Sequence, residues 1–206
     1  MIATYIVLKR HSDIKNIKEF IKRIFENFNK SKTIILLITY CVIIFIAAIL
    51  YGTRTDYPFY YIIIALPVMI LGGGIEEIGW RGFLQPSLEK KYNIITATLI
   101  TASIWIPWHT ITFVLESGNH YQDSFIGFAI WLTVWSYGAA TLYRTTKSVF
   151  ACVLLHAFIN SIGAVFNWNL LFDSFPNKIG MYVVFALIIV ISTVLHINDQ
   201  NKIKSR

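Results

Sequence analysis

The chain has 206 residues, of which 56% are hydrophobic and 14% are charged, and its mean hydropathy is +0.60. Soluble domains carry roughly 25% charged residues, so this composition excludes an ordinary water-soluble enzyme and predicts one polytopic membrane domain. The net charge of +7 does not indicate nucleic-acid binding, because the basic residues are distributed as a membrane topology requires.

Residues 1–32 are predicted to form a basic amphipathic cytoplasmic segment. Residues 9–32 hold eight Lys or Arg and three acids. Apolar residues recur among them at helical spacing: Ile14, Ile17, Phe20, Ile21, Ile24, Phe25 and Phe28. The pattern predicts a helix on the membrane surface, where anionic lipid attracts basic residues. An ordinary solvated arm is the alternative.

Residues 33–206 are predicted to form a single transmembrane domain. A helix needs about 20 apolar residues to cross a bilayer. Six segments meet or approach that length: 33–51, 58–80, 94–115, 125–143, 149–166 and 179–196. The predicted fold class is therefore an all-α polytopic membrane helix bundle with about six transmembrane helices.

The charges predict the orientation of these helices. Sixteen of the 18 Lys and Arg fall on one side of the predicted membrane, and only Arg54 and Lys178 fall on the other. Acidic residues accompany those two, including Glu116, Asp123 and Asp173. The positive-inside rule then predicts a multi-pass protein of the cell membrane with both termini in the cytoplasm.

Three sets of polar residues fall inside the predicted helices: Glu76, Glu77 and Arg81; His109; and His156 with Asn160. A charged side chain at membrane depth costs about 2.5–3.5 kcal/mol on insertion scales, so such residues usually have a function. Glu77 and Arg81 are four residues apart and can form an ion pair. Glu76 points about 100° away from Glu77 on a helix, which leaves its carboxylate for chemistry.

Each set alone has a structural explanation. A Glu–Arg pair, a His or an Asn can join apolar helices by hydrogen bonding. The three glycines Gly72, Gly73 and Gly74 are predicted to let helices approach closely beside the glutamates. Aromatic residues near segment ends, Trp80 among them, are typical of the membrane interface.

The polar sets resemble the motifs of the CAAX-protease and bacteriocin-processing intramembrane proteases, often called Abi or CPBP proteins. Glu76-Glu77-Ile-Gly-Trp-Arg81 matches Glu-Glu-x-x-x-Arg. Trp105-Ile-Pro-Trp-His109 matches Phe-x-x-x-His, with Trp105 as an aromatic exchange for Phe. His156-Ala-Phe-Ile-Asn160 matches His-x-x-x-Asn. The motif core spans residues 58–166.

The resemblance implies an intramembrane endopeptidase that acts on a membrane-embedded or lipidated peptide or protein. In bacteria it also implies bacteriocin processing or self-immunity. The favoured mechanism needs no cofactor: Glu76 and His109 activate water, His156 and Asn160 stabilise the oxyanion, and Glu77 with Arg81 supports the site. A metalloprotease with Zn²⁺ on His109, His156 and Glu76 is the rival.

This mechanism requires Glu76 and His109 to lie at a similar depth in the membrane. If the second and third segments were straight and ended as predicted, Glu76 and His109 would lie more than about 10 Å apart along the membrane normal at 1.5 Å per residue. A second helix that continues toward Pro86–Leu88 would move Glu76 to mid-membrane and remove the difficulty.

Two non-enzymatic alternatives stay open at this stage. In the first, the same motifs form a structural polar cluster in a membrane immunity or scaffold protein. In the second, Glu76 is the proton-coupled site of a small transporter, although the inverted repeats usual in such transporters are not visible in the sequence.

Overall fold

The computed structural model describes residues 1–51, 53–115, 124–167 and 177–204, and these form an all-α polytopic membrane bundle. Glu116, Asp123 and Asp173, which contributed to the predicted orientation, lie outside the described residues. The helices are α1 (Ile2–Arg10), α2 (Ile17–Phe25), α3 (Ser31–Tyr51), α4 (Tyr61–Gly72), α5 (Glu77–Gly79), α6 (Gln85–Glu89), α7 (Ile94–Trp108), α8 (Thr110–Val114), α9 (Phe125–Thr146), α10 (Val149–Ile162) and α11 (Asn177–Lys204).

Each of the six predicted segments corresponds to helix, with changed ends. Three helical stretches are long and apolar enough to cross a membrane: Ser31–Leu50, Tyr61–Glu89 and Phe125–Thr146. Shorter apolar helices occupy Ile94–Trp108, Val149–Ile162 and Tyr182–Asn198. A multi-pass topology with six crossings and cytoplasmic termini stays a prediction.

The second predicted segment continues to Glu89 instead of ending at residue 80. Its path includes a 3₁₀ turn at Gly74–Glu76, α5, a π-helical turn at Trp80–Leu84 and α6. Pro86 lies two residues after the end of the π turn; in a regular α-helix its ring would meet the carbonyl four residues earlier. The extension also places Arg81 inside the helix, fully buried, so Arg81 is not a loop residue and leaves the orientation count.

The third predicted segment is broken at His109, between α7 and α8. Pro107 has no N–H to donate, and the His109 N–H closes a tight turn on the Ile106 carbonyl at 3.1 Å. The helix direction can therefore change where the histidine side chain leaves the backbone.

The centre of the bundle is α10, which packs against α3, α4 and α9. Its small and medium side chains, such as Ala151, Cys152 and Ala157, are fully buried. A polar network joins the surrounding helices: the Tyr40 hydroxyl lies 2.9 Å from Ser192 Oγ, and Thr141 Oγ1 donates to Ser192 Oγ at 2.9 Å. These bonds fix α3, α9 and α11 relative to one another.

The N-terminal helices α1 and α2 pack against α5 and the start of α10. Leu8, Phe20 and Ile24 are buried in one cluster with Ile78 and Val149. The other apolar side chains of α2, Ile17, Ile21 and Phe25, are about half exposed. The predicted amphipathic helix therefore exists, and its apolar arc is only partly covered by protein.

A two-residue antiparallel pairing joins the connections after α3 and α10. Thr53 pairs with Asn167 and Arg54 pairs with Phe166. The Thr55 N–H extends the pairing by donating to the Val165 carbonyl at 2.8 Å. The pairing fixes Thr55 and Phe166 at one end of the cavity described next.

Candidate active site

A cavity of about 990 Å³ lies among α4, the turn after it, α7, α9 and α10. Residues from all three motifs line it: Glu76, Glu77, Trp105, His109, His156 and Asn160. The rest of the wall is largely apolar, and its aromatic side chains are Trp108, Phe128, Trp131, Trp135 and Phe166. The structure thus brings together every residue that the sequence predicted to be catalytic.

The depth condition is met because the second helix is longer than predicted. Glu76 precedes the end of α6 by 13 residues, and His109 follows the start of α7 by 15 residues. At 1.5 Å per residue, both lie about 20 Å from the connection between these helices. Gln85 holds the two helices in this register: its amide donates to Thr98 Oγ1 at 3.1 Å and accepts from Thr101 Oγ1 at 2.8 Å.

Glu77 and Arg81 form the predicted ion pair, with 1% and 0% of their side chains exposed. Arg81 Nη1 donates to both carboxylate oxygens, at 3.0 and 2.9 Å. Arg81 Nη2 donates to the backbone carbonyl and to the hydroxyl of Ser136, each at 2.9 Å. A buried charge pair is tolerated when its geometry is good and further hydrogen bonds satisfy it; these bonds satisfy both terminal nitrogens of Arg81, while Nε has no hydrogen-bond partner among the described residues.

Glu77 also orients His156. His156 Nδ1 lies 3.1 Å from Glu77 Oε1, and because the carboxylate is an acceptor, Nδ1 is the donor in this bond. Nε2 is then the nitrogen left for the cavity. Donation from Nε2 to an oxyanion requires a second proton on the ring, which is a constraint that the spacing in sequence did not reveal.

His109 is oriented in a similar way by backbone. Its Nδ1 lies 3.1 Å from the Trp105 carbonyl oxygen. Because a carbonyl only accepts, Nδ1 carries the proton in this bond, and in the neutral ring Nε2 then carries the lone pair. The ring therefore presents a proton acceptor on a side chain that lines the cavity.

Gly73 makes room for His156 and Asn160. A Cβ at Gly73 would lie 2.5 Å from Asn160 Nδ2 and 3.1 Å from His156 Nε2. Gly74 lies as close to α10, since a Cβ there would be 2.7 Å from the Val153 carbonyl oxygen. Gly72 has nothing within 4 Å of a Cβ. The close approach predicted for the three glycines is thus made by two of them.

The Glu76 carboxylate accepts hydrogen bonds from three indole N–H groups. Trp105 Nε1 donates to Oε2 at 2.9 Å, Trp80 Nε1 to Oε2 at 3.4 Å, and Trp108 Nε1 to Oε1 at 3.1 Å. Glu76 is therefore not an isolated carboxylate. Its hydrogen-bond partners differ from those of Glu77, which bonds to Arg81 and His156.

Trp105 contacts all three motifs. Its ring lies 5.0 Å from Arg81 Cζ, and its centroid lies 6.0 and 5.4 Å from those of His109 and His156. The exchange of Phe for Trp at this position is consequently more than a change of ring shape, because Phe has no N–H to donate to Glu76. Trp80, predicted to mark the membrane interface, instead belongs to the site.

The sequence held a signal for these tryptophans. Trp80 is four residues from Glu76, and Trp105, Trp108 and His109 share one helix face at spacings of three and four. Ser136 carried no such signal, since it is one of several hydroxyl side chains in an apolar helix and its partner Arg81 is 55 residues away.

The positions of these side chains can be compared with the alternative Zn²⁺ site predicted on His109, His156 and Glu76. Within residues 1–51, 53–115, 124–167 and 177–204, no three His, Cys, Asp or Glu side chains converge to hold an ion. Glu76, one of the three predicted ligands, instead directs both carboxylate oxygens at indole donors. The described residues do not fit the Zn²⁺ site in this arrangement.

Comparison with known proteins connects this site to a family. CAAX prenyl protease 2 of Methanococcus maripaludis is 27% identical over 103 residues, which are 45% of this chain and 37% of that protein. The chain thus matches little more than a third of the length of this relative. The family described as type II CAAX prenyl endopeptidase Rce1-like matches residues 33–162, which include all three motifs. Because the match covers more than half of the chain, the protein belongs to the Rce1-like family of type II CAAX prenyl endopeptidases.

Proposed function

We propose that the chain is an intramembrane endopeptidase that hydrolyses a peptide bond in a membrane-associated, lipidated peptide or protein. The observation that carries the proposal is the convergence of Glu76, His109, His156 and Asn160 on one cavity. The cavity is large enough for a peptide segment, and its largely apolar wall suits an apolar substituent. The name of the archaeal relative supports a prenylated CAAX terminus as the first substrate to test.

In the proposed reaction, Glu76 takes a proton from a water molecule, with His109 Nε2 as a second acceptor. The hydroxide oxygen attacks the scissile carbonyl carbon, and the carbonyl oxygen becomes an oxyanion. The C–N bond then breaks, and the departing amine receives the proton. General acid–base catalysis of this kind contributes about 10²–10⁴-fold to the rate.

Asn160 is the oxyanion donor that the geometry supports best. Its amide lines the cavity and has two N–H groups whatever the protonation of the site. His156 would need a proton on both nitrogens to donate, because Nδ1 already donates to Glu77. Glu77 and Arg81 act through His156 and the helix backbone and would not touch the substrate.

Cleavage of a fluorogenic farnesylated CAAX peptide by the purified full chain in nanodiscs tests the proposal. We expect cleavage by the wild type and its loss in Glu76→Gln, which keeps the shape of the side chain and removes the base. Glu26→Gln is the matched control, since Glu26 is exposed and lies outside the cavity. Undiminished cleavage by Glu76→Gln would contradict the proposed role.

Bacteriocin processing or self-immunity, and a non-proteolytic immunity or scaffold role, stay predictions from the sequence. A scaffold would need the folded polar cluster and no proton transfer. Its cellular phenotype would therefore survive Glu76→Gln, provided that the variant accumulates in the membrane as the wild type does.

A further inference from the structure

Three indoles surround the carboxylate that the proposed mechanism uses as its base. Trp80 comes from the same helical stretch, one turn after Glu76, and Trp105 and Trp108 come from α7. Trp105 is 6% exposed and Trp108 is 63% exposed, so the first lies inside the bundle and the second lies on its outer surface beside the carboxylate. Hydrogen bonds from different elements restrain the Glu76 side chain more tightly than a bond from one.

We propose that these indoles are positioning residues, which fix the Glu76 carboxylate and make Oε1 the oxygen that receives the proton from water. A carboxylate has about four acceptor positions, two on each oxygen. Among the residues that the structure describes, Oε2 accepts from Trp105 and Trp80, and Oε1 accepts from Trp108 alone. The position still open is therefore on Oε1. This inference rests on the proposed function only for its catalytic consequence.

The chemistry of indole suits this role. An indole N–H donates and has no lone pair to accept a proton at ordinary pH. It can therefore hold a carboxylate without competing for the proton that the carboxylate must take up and release. A Lys or His at the same place would form a stronger ion pair and would also exchange protons with the base.

Indole NMR signals test the hydrogen bonds without any substrate. The full chain contains six tryptophans, and ¹⁵Nε1 labelling gives each of them one indole signal that single Trp→Phe variants assign. We expect Glu76→Ala to move the N–H signals of Trp105 and Trp108 upfield, with a smaller change for Trp80. Glu26→Ala, at an exposed position outside the cavity, should leave all three signals in place. Signals unmoved by Glu76→Ala would overturn the proposal, whether or not any peptide is cleaved.

Kinetics test the catalytic consequence. Trp105→Phe removes one donor from Oε2 and keeps an aromatic ring, so kcat should fall about tenfold, less than the 10²–10⁴-fold expected for loss of the base, while KM is unchanged. Trp108→Phe, at an exposed position that does not endanger folding, should lower kcat by a smaller factor. Full kcat in Trp105→Phe, or a loss confined to KM, would overturn the positioning role.

The two proposals can fail separately. Absence of cleavage by the wild type would count against the proposed function, and the indole signals would still decide whether the carboxylate is held by tryptophans. Cleavage that depends on Glu76 combined with unmoved indole signals would retain the function and overturn this inference.

Discussion

Gly73→Ala is predicted to disable the site while leaving the fold largely intact. The added Cβ would lie 2.5 Å from Asn160 Nδ2 and 3.1 Å from His156 Nε2. Ordinary carbon contacts begin near 3.5 Å, so the Asn160 amide must move by about 1 Å. Misplacement of a catalytic group by about 1 Å can cost about 10²-fold in rate. We therefore expect kcat to fall by about that factor on the fluorogenic peptide.

The neighbouring glycines supply matched controls for that substitution. Gly72→Ala meets nothing within 4 Å and should keep wild-type activity, with a small gain in stability because Ala is favoured over Gly in a helix by about 0.5–1 kcal/mol. Gly74→Ala meets the Val153 backbone oxygen at 2.7 Å and should lose about 1–3 kcal/mol of stability through overpacking. A Gly73→Ala enzyme with the wild-type rate would refute the reasoning.

Three further predictions concern other parts of the molecule. Arg81→Ala leaves the buried carboxylate of Glu77 without its arginine and should lower the free energy of unfolding, measured by denaturation in detergent, by about 3–5 kcal/mol. Arg144→Ala breaks a partly exposed pair with a 3.5 Å separation and should lower it by about 1 kcal/mol or less. Asn160→Ala should lower kcat by about 10²–10³-fold through loss of an oxyanion donor, without a matching loss of thermal stability. Phe20→Ala should destabilise the fold by about 3–5 kcal/mol, while Ile21→Ala, on the exposed edge of the same helix, should leave stability unchanged and weaken quenching of an α2 fluorophore by brominated anionic lipid.

Much of the fold could be predicted from the sequence, because apolar segments of about 20 residues indicate helices that cross a membrane. The all-α membrane bundle and the Glu77–Arg81 pair followed from hydropathy and from a spacing of four residues. The ends of the helices did not follow, because local features decide them. The π turn before Pro86 lets the second helix continue to Glu89, and Pro107 ends α7 before His109.

The sequence predicted which residues form the site but not which hydrogen bonds join them. Motif spacing identified the four predicted catalytic residues, all of which line the cavity. The partner of His156 Nδ1, however, is 79 residues away, a separation that no helical period encodes. Trp105 was treated as an aromatic exchange for Phe. Its N–H matters because Glu76 lies 29 residues earlier in sequence and 2.9 Å away in space.

Glu76 is the proposed base in peptide-bond hydrolysis. The most direct test of this role does not depend on the choice of peptide. Membrane-associated peptide termini are compared by mass spectrometry between cells that produce the wild type and cells that produce Glu76→Gln at equal levels. We expect a set of new peptide termini that is present with the wild type and absent with the variant. Identical termini in both samples, with both proteins folded in the membrane, would contradict it.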